Sequence, residues 1–198
     1  MPDRQLVILE AAARLVARRG VRGLRMDELA AEAGVSTGLL YYHFTDRSTL
    51  LRRTLEFVND RAGAYTDEPK PAGASARERL ELKLLLELQD RPKVVENSKA
   101  WGELRASALF ERGLQDVLLV STQGWNDEIA ELIREAQDGS GEIDPDASAA
   151  AAERLTTLVE GLSQRWLSGS MSLADAQDLL RGAITLELAA LRGALPTA

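Results

Sequence analysis

The fold is decided by the stretch Met26-Asp-Glu-Leu-Ala-Ala-Glu-Ala-Gly-Val-Ser-Thr-Gly-Leu-Leu-Tyr-Tyr-His-Phe44. Its first part places Leu29 and Ala33 on one face, as expected for a short amphipathic helix. Gly34 can adopt the left-handed backbone conformation that ends a helix, and Ser36 is a favourable N-cap for the next one. The stretch therefore predicts two short helices joined by a tight turn.

The second of these helices begins with small residues and ends with aromatic ones. In a helix-turn-helix, this helix enters the DNA major groove with its N-terminus first. Thr37 and Gly38 lie at that end, where larger side chains would block approach to the bases. Tyr41, Tyr42 and His43 bring hydroxyl and imidazole groups close to backbone phosphates. A plain pair of core helices is the alternative, but it does not explain two tyrosines and the chain's one histidine on a single turn.

The same residues resemble the signature of TetR-type transcriptional regulators. The matching pattern is Ala33-Gly34-Val35-Ser36-x-Gly38-x-Leu40-Tyr41-x-His43-Phe44, followed by Arg47 and Leu50, and the likeness begins upstream at Ile8. The resemblance implies a ligand-responsive, sequence-specific DNA-binding regulator in the cytoplasm. In this family such a protein is most often a repressor that a small molecule releases from a palindromic operator. The alternatives are an activator and a protein-interaction module without small-molecule control.

The chain departs from the usual TetR-type residues at three positions, Arg25, Met26 and Arg47. TetR-type sequences usually open the first motif helix with threonine or serine, whereas Arg25 and Met26 stand there in this chain. We expect Arg25 to supply a longer cation for the same phosphate. Arg47 stands where relatives commonly have lysine, so the resemblance gives it a phosphate role too. The predicted DNA-contacting residues are Arg25, Ser36, Thr37, Gly38, Tyr41, Tyr42, His43 and Arg47.

The charge distribution fits this interpretation better than the total charge does. The chain of 198 residues carries a net charge of -7. Up to Arg61, however, ten lysines and arginines face eight acidic residues, while the remainder has fourteen against twenty-three. A mildly basic head on an acidic body can neutralise phosphates locally and keep the body away from DNA.

Several other classes of protein are disfavoured by composition. There is no cysteine, which removes disulfides, thiolate metal sites and cysteine nucleophiles. A carboxylate-bridged helical metalloenzyme needs Glu-x-x-His pairs, but the one histidine lies in the motif. No apolar run reaches transmembrane length, so we expect no membrane partner. We therefore expect no catalytic residues, no metal and no cofactor.

Helical patterns continue along the whole chain and predict an all-α protein of nine helices. Their predicted limits are approximately 3–19, 26–33, 37–43, 46–65, 75–90, 92–109, 113–137, 144–167 and 172–192, with a possible bend at Ser121–Gly124 and a loop at Asp138–Glu142. The prolines and glycine within Thr66–Ala74 suggest a domain boundary. We predict a three-helix helix-turn-helix DNA-binding domain at 1–62, with its motif at about 25–44, and a helical effector-binding and dimerisation domain at 75–195.

The last two helices predict a homodimer. Their apolar positions occupy more than one face, so more than one face must be covered. Both faces could pack within one chain, but a two-fold four-helix bundle also explains how two short recognition helices read a palindrome. TetR-type regulators dimerise in this way. The predicted interface residues are Leu155, Leu162, Trp166, Leu180, Ile184 and Leu188.

The C-terminal part resembles the ligand domain of the choline-responsive Bet-type subgroup, through Ala100-Trp101, Glu142-Ile-Asp-Pro145 and Glu160-Gly161-Leu162. A choline site needs an aromatic cage around the quaternary ammonium group, and aromatic residues at helical spacing equally suit a core. We therefore expect a small, largely apolar effector of unassigned identity. The predicted pocket residues are Trp101, Leu104, Phe110, Trp125 and Leu158. The first helix is expected to bury Leu6, Leu9 and Val16, with Ala12 or Ala13 between them.

Overall fold

The computed structural model describes residues 3–66, 73–137 and 144–193. Within these ranges the backbone forms helices and turns without a β-strand, and the predicted all-α class is confirmed. The helices are α1 (Arg4–Arg19), α2 (Met26–Ala33), α3 (Thr37–His43), α4 (Arg47–Thr66), α5 (Ala76–Leu85), α6 (Pro92–Ser107), α7 (Arg112–Ala136), α8 (Pro145–Leu167) and α9 (Leu173–Leu191). A 3-10 turn, Val21–Gly23, lies between α1 and α2. None of the described helices combines the length and apolarity needed to cross a membrane.

Two helix ends and one predicted bend differ from the sequence prediction. α5 stops at Leu85 because the next residues wind more tightly, with the Leu88 amide bonding to the Leu85 carbonyl at 2.9 Å. α6 stops at Ser107, which leaves Leu109 in a turn with 78% of its surface exposed. α7 runs unbroken through the predicted bend. The predicted breaks around Pro69–Pro71 and Asp138–Glu142 lie outside the described residues.

The described chain separates into two compact units. The first contains the residues up to Ala64 together with Arg91–Ser121, and the second contains Tyr65–Asp90 and the residues from Thr122 onward. The domain limits predicted from the sequence place α6 wholly in the C-terminal domain. It joins the first unit instead because its buried residues Ala100 and Leu104 belong to the same core as α1.

The first unit is built on the apolar stripe of α1. Ile8, Ala12 and Val16 are completely buried against α2, α4 and α6. Leu6, which we expected in this stripe, is 43% exposed because it lies on the flank of the helix. The buried stripe fixes the orientation of α1, on which the helix-turn-helix packs.

The second unit packs α5, the end of α7, α8 and α9 around one core. This core contains five of the residues predicted to form the dimer interface, each at most 3% exposed: Leu155, Leu162, Leu180, Ile184 and Leu188. The chain's own helices already cover these side chains, which leaves little of their surface for a second copy. Trp166, the sixth, is partly buried against the same core.

Candidate nucleic-acid interface and effector domain

The predicted helix-turn-helix is present with the expected local geometry. Gly34 has φ 65° and ends α2 in the left-handed conformation. Ser36 begins α3, and its side-chain oxygen accepts a hydrogen bond from the Leu39 amide at 3.1 Å. Leu40 and Phe44 are completely buried, so α3 is held by one face only. The opposite face of α3 is therefore presented to solvent in a fixed orientation.

The exposed face of α3 carries the residues that the sequence predicted. Thr37 and Gly38 are exposed at its N-terminus. Tyr41 is 50% exposed and Tyr42 is 82% exposed. His43 is partly buried and meets the Tyr42 ring edge-on, with the ring centroids 5.3 Å apart. Large exposed aromatic rings on a rigid helix are typical of a recognition surface rather than of a folding requirement.

Ion pairs between α1 and α2 offset part of the negative charge of α2, the helix that precedes this surface. Arg14 and Arg18 both bind Glu32, at 3.1 and 2.8 Å, and Arg19 pairs with Glu28. The hydrogen bonds from Arg18 and Arg14 hold the pKa of Glu32 below its usual value. Two of the three carboxylates of α2, Glu28 and Glu32, are thereby paired within the unit, which reduces their repulsion of a phosphate backbone, while Asp27 is exposed.

The two predicted arginine contacts have different surroundings. Arg25 is exposed at the N-terminus of α2, and within the described residues no carboxylate pairs with it. Arg47 is only partly exposed. Its Nη2 donates to the Val21 carbonyl at 2.6 Å, and its Nη1 lies 3.4 Å from the Glu111 carboxylate. Sequence reasoning missed Glu111, since nothing in the local pattern joins residues so far apart in the chain.

The predicted effector-pocket residues are divided between the two units. Trp101 and Leu104 belong to the first, where the Trp101 indole donates to the Asn59 side chain at 3.1 Å and Leu104 is completely buried. Phe110 is 78% exposed in the turn after α6. Trp125 and Leu158 pack, partly buried, against the second core. Of the five, only Trp125 and Leu158 share a unit with α8 and α9.

The second unit also holds a charged cluster that sequence reasoning missed. The Tyr65 hydroxyl donates to Glu87 at 2.9 Å. Lys83 is 3% exposed and lies 2.7 Å from Glu128. Burial raises the pKa of Glu87 to about 7, even though the Tyr65 hydrogen bond and the positive charge of Lys83 both lower it. Glu87 thus changes charge near neutral pH, and it does so where α4 ends.

This shift predicts a pH dependence of stability. The folded protein holds the Glu87 proton more tightly than the unfolded chain, whose pKa is about 4.5. This contribution to stability is therefore fully present below about pH 4.5 and is lost as pH rises through 7, amounting to at most about 3 kcal/mol. Thermal melting of the parent and of Glu87→Gln between pH 5 and pH 8 measures it. The parent should lose stability relative to the variant over this range, and parallel curves would contradict the assignment.

α9 leaves an apolar stripe uncovered within the described chain. On α9, Leu179 and Leu186 are 52% and 59% exposed, with Gly182 between them. On α8, Gly161 is exposed as well. A Cβ added to Gly161 or to Gly182 would have no other atom within 4 Å. The stripe of Leu179, Gly182 and Leu186 on α9, at helical spacing, permits another helix to approach closely.

Comparison with known proteins agrees with this geometry. Residues 8–54 match the family model "Bacterial regulatory proteins, tetR family", and residues 76–189 match "BetI-type transcriptional repressor, C-terminal". The HTH-type transcriptional regulator TtgR of Pseudomonas putida is 28% identical over 183 residues, covering 87% of this chain and 82% of that protein.

Solved structures extend the likeness to the whole fold. A TetR-family transcriptional regulator from Rhodococcus sp. is 51% identical with a TM-score of 0.84, covering 93% of this chain and 98% of that one. A transcriptional regulator from Saccharomonospora viridis, solved in complex with choline, is 27% identical with a TM-score of 0.75, covering 91% and 95%. The two family models together span the motif and the α5–α9 region, and the chain belongs to the TetR family of bacterial transcriptional regulators.

Proposed function

We propose that this protein is a homodimeric repressor that binds a palindromic operator and leaves it when a small molecule binds the second unit. The observation that carries the proposal is α3: its buried Leu40 fixes the helix while Tyr41 and Tyr42 remain exposed. The two tyrosines and His43 would contact phosphates and set the register of the protein on DNA. Thr37 and Gly38, at the N-terminus of α3, would meet the base edges.

A dimer supplies the second recognition helix. We propose that Leu179, Gly182 and Leu186 of α9, with Gly161 of α8, meet the same residues of a second copy. An interface of this kind is isologous, so it places the two copies of α3 about a two-fold axis. In such dimers, half-sites lie about 34–36 Å apart, one turn of the DNA helix.

We place the effector among the helices of the second unit, near Trp125 and Leu158. Both side chains are partly buried on the second core. The match of residues 76–189 to the BetI-type C-terminal model supports a small-molecule site in this part of the chain. α4 begins in the first unit, and its last residues, Tyr65 and Thr66, belong to the second. We propose that α4 transmits the effect of the ligand to the helix-turn-helix of α2 and α3. We propose a small, largely apolar ligand, and no cofactor.

Operator selection from random duplex DNA, followed by titration with increasing salt, tests the DNA-binding part of the proposal. We expect a palindromic site whose association constant falls linearly on a log–log plot as salt rises, because phosphate contacts release counterions. Binding without sequence preference, or without salt dependence, would support an interaction module instead. Transcription in the presence of the operator then distinguishes a repressor from an activator.

The effector part is tested on the same complex with a library of small, largely apolar compounds and, separately, with the quaternary ammonium compound choline. We expect a compound that quenches tryptophan fluorescence and changes operator affinity at least tenfold, equivalent to about 1.4 kcal/mol of coupling. Trp125→Phe should reduce this response without altering DNA binding in its absence. Trp101→Phe is the matched control, since Trp101 lies in the first unit. A response that depends on Trp101 and not on Trp125 would move the pocket to the first unit.

A further inference from the structure

The turn between α6 and α7 lies against the start of α4. Glu111, at the end of this turn, reaches Arg47, the first residue of α4. Two residues further along the chain, Gly113 approaches Ser48 so closely that a Cβ on the glycine would stand 2.8 Å from the serine Oγ. Two successive contacts therefore hold the beginning of α7 against the first turn of α4.

Val21, in the 3-10 turn that leads to the helix-turn-helix, is held on both sides of its backbone. Its amide donates to Glu103 of α6 at 3.3 Å, and its carbonyl accepts from Arg47 at 2.6 Å. The Arg47 guanidinium thus makes two separate interactions, a short one to the Val21 carbonyl and a longer one to the Glu111 carboxylate. The first can persist when the second is exchanged for another anion.

The Arg47–Glu111 pair has the properties of an exchangeable contact. The charged groups are 3.4 Å apart, and their side chains are 38% and 40% exposed. Ion pairs at such exposure contribute little to folding. A DNA phosphate, by contrast, offers a guanidinium strong, charge-assisted and often bidentate hydrogen bonds. Arg47 would therefore lose little by leaving Glu111 for a phosphate.

We propose that the Glu111 carboxylate is an internal competitor for the DNA phosphate that Arg47 binds, so that the α6–α7 turn lowers the protein's affinity for DNA. This inference rests on the proposed function, since it assumes that Arg47 lies beside the operator backbone. In the free protein the Arg47 guanidinium pairs with Glu111, and in the DNA complex it binds a phosphate instead. The α6–α7 turn gains a direct effect on DNA affinity.

The test is operator binding by Glu111→Gln, which keeps the size of the side chain and removes its charge. We expect its affinity to rise by up to about fivefold at each half-site, the range that an exposed ion pair contributes. Glu96→Gln is the matched control: it removes one carboxylate charge from the same unit, where Glu96 pairs with Arg61 rather than with Arg47. The gain should be absent when Glu111→Gln is introduced into Arg47→Ala.

The outcomes separate competition from structural support. If Glu111 only braces the fold, its substitution leaves affinity unchanged or weakens it, and the inference is overturned. It is also overturned if Glu96→Gln gives the same gain, or if the gain persists without Arg47. Circular dichroism melting checks that all variants are folded. If neither the parent nor any variant binds duplex DNA, the proposed function itself fails; if the parent binds and Glu111→Gln shows no gain, only this inference fails.

Discussion

Gly38→Leu is expected to lower operator affinity by at least about tenfold while leaving the fold intact. Gly38 is exposed at the N-terminus of α3, and a Cβ built there meets only the Ser36 Oγ, at 3.9 Å. A side chain therefore fits within the protein. Glycine inside a helix is also less favourable than alanine by roughly 1 kcal/mol, so folding stability should be unchanged or slightly higher. A loss of DNA binding would then show that the leucine side chain does not fit between α3 and the bases.

The measurement is fluorescence anisotropy with the selected operator, accompanied by thermal melting. Gly124→Leu is the matched control, because Gly124 is an exposed helical glycine of α7 that also has open space around its Cα. It should leave DNA affinity unchanged. Full operator binding by Gly38→Leu would show that α3 does not enter the groove by its N-terminus, and it would remove the base-reading role from this end of the helix.

Leu186→Glu is expected to convert the dimer into monomers and to weaken operator binding at least about a hundredfold. In a two-fold interface the substitution places two carboxylates close to each other in an apolar contact, and an unpaired buried charge costs several kcal/mol. The folded chain should tolerate the change, because Leu186 is 59% exposed within it. Light scattering at micromolar concentration should report the mass of one chain instead of two.

Two control variants separate a charge in the dimer interface from a charge elsewhere on α9 and from a charge in the core. Ala174→Glu adds the same charge to an exposed position of α9 outside the leucine and glycine stripe, and the dimer should persist. Ile184→Glu places the charge in the second core, where Ile184 is completely buried, and should unfold the unit. A Leu186→Glu protein that remains dimeric and binds its operator normally would exclude this face as the interface.

The helix-turn-helix could be predicted closely because its determinants are local. The left-handed Gly34 and the Ser36 cap act within a few residues of themselves, and Leu29, Leu40 and Phe44 are all buried as their spacing indicated. The exposed tyrosines followed from the same periodicity. The limits of α2 and α3 therefore agree with the expectation.

The face used by α9 could not be read in this way. Its apolar residues surround much of the helix, and periodicity alone did not distinguish Leu180 and Ile184, which the chain buries, from Leu179 and Leu186, which it leaves exposed. That choice depends on where α5, α7 and α8 pack. The hydrophobic pattern of a helix shows how much of its surface must be covered, but it does not identify the neighbouring helix that covers each face.

The sequence by itself determined the helical class, the helix-turn-helix of α2 and α3, and the residues that α3 exposes. Contacts between residues three and four positions apart specify all of these. Only the tertiary structure decided that Glu111 meets Arg47, that α6 joins the first unit, and that the partly buried Glu87 meets Tyr65 and has a raised pKa. These features arise from segments distant in sequence, whose charges and surfaces acquire their partners only when the helices pack.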